Sequence, residues 1–322
     1  MLIQSLNYQS GNSPDLLSGS YKPVKLSMAC LDKQHPLASG NKFYKLKPHF
    51  EFAKQQGITQ LISFGGAYSN HIHALALFAK EQGFKTIGII RGEVEYADNP
   101  TLQDVQQAGM QLQFVSREEY RLRHNQDYLD TLQQRYPDAL IIPEGGSSQL
   151  AIKGCAQIVD EINQANTFDV LCTASGTGAT FAGLVTGLAD KQRAIAYVAL
   201  KDTSLPQRVE QFLQHDKANL KKQYQIEAAD FGGFAKLDKA LLEFVFDWLE
   251  QTGILLDPIY TSKMCMRLVQ QIEAGEFAEG TSICIIHSGG LQGWRGMQQR
   301  VIQLMGKKKW HQLGSLLGSL LD

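Results

Sequence analysis

Short apolar runs rich in β-branched residues alternate along this chain with longer stretches whose apolar positions recur every three or four residues. LISF at 61–64 precedes a helical stretch at 69–81, TIGII at 86–90 a helix near 101–107, and LQFV at 112–115 a polar helix over about 118–135. ALIIP at 139–143 precedes a helix from about 150 to 164, and DVLCT at 169–173 one over 178–188. AIAYVAL at 194–200 follows, and SICIIH at 282–287 comes late. Strand-then-helix alternation with strands apolar on both faces predicts parallel sheets covered by helices. Because 56–143 carries a strand–helix series of its own, the expected fold is α/β with two open parallel-sheet lobes. The smaller spans 50–150; the larger combines 1–49 with 151–322. A site at the mouth between the lobes follows, since open α/β sheets bind ligands beyond the carboxyl ends of their strands. No solenoid-length repeat or low-complexity linker interrupts the pattern.

Composition narrows the function classes. The chain has 322 residues, with 31 Lys and Arg against 32 Asp and Glu. Two domains of roughly 150 residues accommodate that length, and the balanced charge argues against a nucleic-acid or membrane-surface partner. The amino-terminal segment lacks a basic start followed by an apolar run, so no secretory signal is expected, and no run approaches the ~18 apolar residues of a membrane span. Five scattered cysteines (Cys30, Cys155, Cys172, Cys265, Cys284) form no CxxC pair or zinc-spaced cluster. They read as reduced, buried thiols, with a cytoplasmic enzyme as the expectation and no metal.

Three segments carry candidate chemistry. Ser175-Gly176-Thr177-Gly178-Ala179-Thr180 lies between a predicted strand and helix. Glycines there let backbone N–H groups approach an anion, and hydroxyls add donors. The loop is either a phosphate cradle or a plain turn; it is neither a Walker loop nor a dinucleotide fingerprint, because Phe181 occupies the third glycine position. In Ser39-Gly40-Asn41-Lys42-Phe43-Tyr44-Lys45-Leu46-Lys47, Lys42 and Lys45 share a helix face while Lys47 points elsewhere. One lysine can form a Schiff base while the other pairs with a phosphate, although a solvated basic helix start has the same spacing. Gly65-Gly66-Ala67-Tyr68-Ser69-Asn70-His71 is a second strand–loop–helix junction. Ser69 and Asn70 are N-cap candidates or polar groups aimed at a bound ring. His71 and His73, two apart on a helix, do not form a metal pair.

The ordered set SGNKFYKLK, GGAYSNHIHALA, SGTGATFAG, LLDPIYTSK and IIHSGGLQG resembles the pyridoxal-phosphate enzymes of the 1-aminocyclopropane-1-carboxylate deaminase and D-cysteine desulfhydrase family, with the tryptophan-synthase-β type of fold. The resemblance runs from Ser39 to Gly293, and it implies pyridoxal 5'-phosphate as cofactor and a small amino acid as substrate. By the same resemblance Lys42 would hold the cofactor covalently and exchange the substrate Cα proton, and Lys45 would help hold the phosphate. Asn70 would bond the phenolic oxygen. Ser175, Gly176, Thr177, Gly178, Ala179 and Thr180 would cradle the phosphate, with Ser288 also against the cofactor. Ser69 and Tyr260 join Lys42 as catalytic candidates, and Ser69, His71 and Thr261 line the substrate side. A homodimer is the family expectation.

Two positions bear on the reaction. The deaminases typically carry Glu after the DPxY tyrosine and Leu in the HxGG motif, whereas this chain has Thr261 and Ser288, as desulfhydrase-like members do. A carboxylate near the pyridine nitrogen favours its protonated form and a deeper electron sink. Expelling a β-thiolate after Cα deprotonation needs less withdrawal than opening a cyclopropane. The expected activity is therefore D-cysteine desulfhydrase-like β-elimination giving pyruvate, ammonia and sulfide. The alternatives are deaminase-like ring opening, or a pyridoxal-phosphate-binding protein with little catalysis. A Rossmann oxidoreductase lacks its fingerprint.

Departures from the family pattern are Cys30-Leu31-Asp32 in place of a basic–acid–Asp run, Tyr44 in place of Arg, and Phe234 in Gly232-Gly233-Phe234-Ala235-Lys236 in place of Tyr. They are expected to remove charge and a phenol near the substrate side. Lys307-Lys308-Lys309 reads as a solvated face, Trp294 and Arg295 as pocket mouth or surface loop, and GSLLGSLLD as a helix packed on a partner or on its own chain.

Overall fold

The computed structural model describes residues 1–9, 24–35, 40–214 and 223–318; Ser39 of the lysine motif and the last four residues of GSLLGSLLD lie outside them. In chain order the first half contains β1 (Ile3–Leu6), β2 (Lys25–Cys30), α1 (Asn41–Gln55), β3 (Gln60–Gly66), α2 (Asn70–Gln82), β4 (Lys85–Arg91), α3 (Pro100–Gln107), β5 (Gln111–Val115), α4 (Arg117–Arg121), α5 (Gln126–Arg135) and β6 (Ala139–Ile142). The second half contains α6 (Gln149–Ala165), β7 (Val170–Ser175), α7 (Ala179–Gly187), β8 (Arg193–Val198), α8 (Leu205–Leu213), β9 (Gln223–Ala228), α9 (Lys239–Thr252), α10 (Thr261–Glu273), β10 (Ser282–His287), α11 (Gln298–Met305) and α12 (Lys307–Leu317).

The strands form two sheets, a six-stranded one ordered β1-β2-β10-β7-β8-β9 and a four-stranded one ordered β5-β4-β3-β6. The small sheet is parallel throughout. The large sheet is parallel except at its edge, where β1 pairs antiparallel with β2, so the two expected parallel-sheet lobes are present with one antiparallel edge strand added. Helices cover both faces. On one face of the large sheet Ala29, Leu171, Ala196 and Ile286 pack with α6 and α7, and on the other Met28, Cys172, Tyr197 and Ile285 pack with α9 and α10. Burial on both faces is why β7 and β10 read as unbroken apolar runs.

Two expectations change. The polar helix over 118–135 is broken into α4, a short 3-10 turn and α5, because Asn125 is extended (φ −81, ψ 130) and its side chain accepts from Tyr128 N at 3.1 Å. Asn favours this capping geometry over a helix interior. Trp294 is fully buried and donates from Nε1 to Leu256 O at 3.0 Å, within the cluster that joins α9, α11 and α12. Its neighbour Arg295 is paired with Asp104, so neither belongs to a surface loop. Trp310, Leu313 and Leu317 pack α12 on its own chain, with Lys307 and Lys308 exposed and Lys309 over the Phe246 ring. Among the described residues no helix is long and apolar enough to cross a membrane.

α1 is held with unusual closeness. Pro48 removes the N–H that would bond the Tyr44 carbonyl, and α6 brings Gly154 against that carbonyl, where a Cβ would lie 2.0 Å from the oxygen. Tyr44 itself is buried and donates to Glu161 Oε2 of α6 at 2.8 Å. The substitution at Tyr44 therefore falls on the helix seam, not on the substrate side as its motif position implied.

Candidate active site

The carboxyl ends of β7 and β10 in the large sheet and of β3 in the small sheet converge with the start of α1. Gly40 makes the junction possible. Its φ is +73, and a Cβ there would lie 2.0 Å from Ser288 O, while Asn41 N donates to that oxygen at 3.1 Å. Ser288 thus meets α1 through its main chain, and Lys42 is set beside the segment that follows β10. Asn41 also donates to Thr180 Oγ1 at 2.8 Å and accepts from Lys42 Nζ at 3.1 Å, which ties both to the first turn of α7.

Lys45, one turn further along α1, is buried and donates to Ser147 Oγ at 3.2 Å and Thr177 Oγ1 at 3.3 Å; Ser147 in turn donates to Thr177 at 2.6 Å. The loop Ser175-Gly176-Thr177-Gly178 enters α7 at Gly178, with no side chain capping the helix. A lysine, two hydroxyls and uncapped helix N–H groups converge here, which is a donor set suited to a phosphate. Burial pushes Lys42 down to about 8, and burial together with the Lys42 charge pushes Lys45 down to about 7. Both ammonium groups are short of counter-charge, so an anion between them would be strongly held.

His71 belongs to this group. Ser63 Oγ donates to Ile142 O at 2.8 Å, so it accepts from His71 Nε2 at 2.7 Å. His71 Nδ1 is then a buried acceptor with no partner among the described residues, on the ring edge beside Gly146 and near Lys45. Burial first, then the nearby lysine charges, hold His71 well below its ordinary value. His73 faces elsewhere and meets Asp104 Oδ2 at 3.0 Å.

Ser69 is the N-cap of α2 and accepts from Ile72 N at 3.3 Å. Asn70 is the first residue of α2. Its Oδ1 accepts from Gln292 Nε2, and its Nδ2 lies against Gly290, where a Cβ would come within 2.8 Å. Across the site, Asp257 is fully buried, and its two carboxylate oxygens accept from Ile259 N (3.0 Å), Tyr260 N (2.8 Å) and Thr261 N (2.7 Å). This fixes the Tyr260 ring against Gly176 and 6.2 Å from the exposed Phe234 ring. Burial raises the Tyr260 phenol above its ordinary value. The hydroxyls of Ser175, Thr261 and Ser262 are buried without a hydrogen-bond partner among the described residues.

The sequence profile described as "Pyridoxal-phosphate dependent enzyme" matches residues 28–289, which contain every one of these side chains except Gln292. The chain belongs to the pyridoxal-phosphate dependent enzymes. It is 28% identical to each of two curated relatives, of which the first is a putative 1-aminocyclopropane-1-carboxylate deaminase of Pyrococcus furiosus, matched over 269 residues that cover 79% of this chain and 81% of that protein. The other is the mitochondrial bifunctional D-cysteine desulfhydrase/1-aminocyclopropane-1-carboxylate deaminase of Arabidopsis thaliana, over 83% of this chain and 73% of that protein. A crystal structure of a 1-aminocyclopropane-1-carboxylate deaminase homologue superposes with a TM-score of 0.79 at 24% identity, covering 94% of this chain and 93% of the other. A hydrogen sulfide-producing enzyme from Fusobacterium nucleatum gives 0.66 at 14% identity, covering 91% and 96%. The fold of this pyridoxal-phosphate enzyme is accordingly of the tryptophan-synthase-β type, as the sequence motifs implied.

The residues present suit the cofactor. Lys45, Ser147, Thr177 and the start of α7 offer donors for its phosphate, and unpartnered buried polar atoms at His71, Ser175, Thr261 and Ser262 await hydrogen bonds. Sequence reasoning missed Asp257, Ser147, Thr101 and Gln292. Asp257 had a local signal, an Asp just ahead of a helical stretch; the others act through partners remote in sequence.

Proposed function

We propose that this enzyme catalyses β-elimination from a small amino acid carrying a good β leaving group, with D-cysteine and water giving pyruvate, ammonia and sulfide. Pyridoxal phosphate, when bound, supplies the electron sink that acidifies the substrate Cα–H. Lys42 would hold it and, as a neutral amine, accept the Cα proton; a value depressed to about 8 leaves a useful fraction of that amine near pH 7. Lys45, Ser175 and the segment from Gly176 to Thr180 would hold the phosphate, and His71, expected on the substrate side, lies instead beside Gly146 and Lys45, where it would close the phosphate end. Asn70 would donate to the phenolic oxygen, and Ser288 would flank the cofactor from the β10 side. Ser69 and Tyr260 bracket the substrate, and Thr261 adds a hydroxyl.

The observation that carries the choice of reaction is the state of the acids near Thr261. Asp257 spends both oxygens on backbone N–H groups, so this end of the site offers hydroxyls, not a free carboxylate. Such a lining supports departure of a thiolate better than opening of a strained ring. The double name of the Arabidopsis relative makes 1-aminocyclopropane-1-carboxylate the natural competitor. The test is product release by the holoenzyme from D-cysteine, L-cysteine and 1-aminocyclopropane-1-carboxylate. Sulfide with pyruvate from D-cysteine as the best substrate is expected; 2-oxobutyrate as the dominant product would overturn the proposal, as would no product from any. Division into lobes 50–150 and 1–49 with 151–322, a homodimer and a cytoplasmic location belong to the same proposal, the last supported by five buried free thiols.

A further inference from the structure

Asn70 is a side chain whose direction matters. Its amide can present either an N–H donor or a carbonyl acceptor, and the two differ by a half-turn. In this enzyme the choice is made by a neighbour. Gln292 lies in the segment after β10 and is almost fully buried. Its Nε2 faces the backbone carbonyl of Tyr68 at 3.3 Å, and a carbonyl only accepts, so the nitrogen end of Gln292 is fixed on that side. Its Oε1 accepts from the buried hydroxyl of Thr101, on α3, at 2.6 Å. Both ends of the Gln292 amide are thereby assigned. The same Nε2 donates to Asn70. The Asn70 atom that faces it must be Oδ1, and Nδ2 is turned the other way, to the Gly290 side.

We infer that Thr101 and Gln292 are positioning residues that hold the Asn70 amide with its N–H donors toward the cofactor ring. This rests on the assignment of Asn70 to the phenolic oxygen. The arrangement spans both sheets' surroundings: Thr101 and Asn70 sit on helices of the small sheet, and Gln292 follows a strand of the large one. A second strut runs beside it, where Arg295 donates to Asp104 of α3 and Asp104 also meets His73 of α2. The donor is therefore set before any ligand arrives, and no reorganisation is needed when the phenolic oxygen becomes more negative during the reaction.

Gln292→Glu is the decisive variant. A carboxylate still accepts from Thr101 but cannot donate to Asn70; it accepts from Asn70 Nδ2 instead, so the amide turns over and presents Oδ1 to the ring. The readout is the visible absorption of the holoenzyme, which responds to hydrogen bonding at the phenolic oxygen. Gln292→Glu is expected to shift the band in the direction of Asn70→Asp and to lower kcat/KM about tenfold, the effect of exchanging one buried donor for an acceptor. Thr101→Val should give a smaller shift and Thr101→Ser none, which guards against a Gln292 variant that fails to fold. A folded Gln292→Glu enzyme with a wild-type spectrum, alongside a shifted Asn70→Asp, overturns the relay. An unshifted Asn70→Asp, with the band still lost in Lys42→Ala, overturns the assignment of Asn70 and the relay with it.

Discussion

Two buried lysines on two helices are treated in opposite ways. Lys263 of α10 spends its ammonium on three backbone carbonyls, Asp230 O and Gly233 O at 2.6 Å and Ala199 O at 3.4 Å. The Asp230 and Gly233 carbonyls belong to a segment where Phe231 and Ala235 adopt positive φ, and the lysine ties that bend to the Ala199 carbonyl after β8. Among the described residues Lys45 of α1 donates to hydroxyls, those of Ser147 and Thr177, and it shares its surroundings with Lys42. A carbonyl can only accept, whereas a hydroxyl can turn its hydrogen toward a new acceptor. A charge fixed by carbonyls serves the fold. A charge resting on hydroxyls can be handed to an anion without leaving any group unpaired.

That contrast can be broken experimentally. Lys45→Met should weaken cofactor binding by about 100-fold, the value of a charge-assisted bond to phosphate, while leaving the apo-enzyme folded; equilibrium dialysis with pyridoxal phosphate and circular dichroism check both. Lys263→Met should do the reverse, lowering unfolding stability by about 2 kcal/mol because buried carbonyls lose their donor, while the visible band of the holoenzyme survives. Urea titration followed at that band and at 222 nm separates the two outcomes.

A further test of the comparison lies in the pH dependence of the apo-enzyme. Lys45 is held near 7 when folded, against 10.5 in its ordinary state. Between those values the unfolded chain binds more protons, so stability rises with pH across the window and the full burden of the buried lysine is felt below it. Lys45→Met should flatten that rise in urea midpoints measured from pH 7 to 10. Cofactor binding at pH 8 should take up protons, visible in calorimetry as a dependence on buffer ionisation enthalpy.

Much of the fold was legible because buried parallel strands announce themselves. LISF, DVLCT and SICIIH are apolar runs followed by glycine-containing loops, and each became a strand whose carboxyl end reaches the site. Three strands of the large sheet were not legible. β9, QYQIEA, is largely exposed and polar, and β1 and β2, IQSL and KLSMAC, lack the β-branched run of a core strand. In the site, Lys42 and Lys45 could be paired from spacing because a helix brings residues three apart onto one face. Gln292 could not, since its partners lie 191 and 222 positions away and an exposed glutamine in a loop has the same local sequence. Tyr44 shows the converse: its motif position pointed to the substrate, and the packing of α1 on α6 turned it to Glu161.

The large sheet has a consequence for how the protein is made. β2 is synthesised before the small sheet, yet its inner neighbour is β10, paired from Lys25 with Ser282 to Cys30 with His287. The whole small sheet is synthesised in the interval and has all four of its strands in hand, and folding proceeds from the amino terminus as chain emerges. Ser288, whose carbonyl receives the first N–H of α1, arrives with that last strand. Until β10 is in place, α1 can rest on α6 through Tyr44 and Glu161, but its first N–H lacks the Ser288 carbonyl, so the end of the helix that carries Lys42 is anchored only when the large sheet closes.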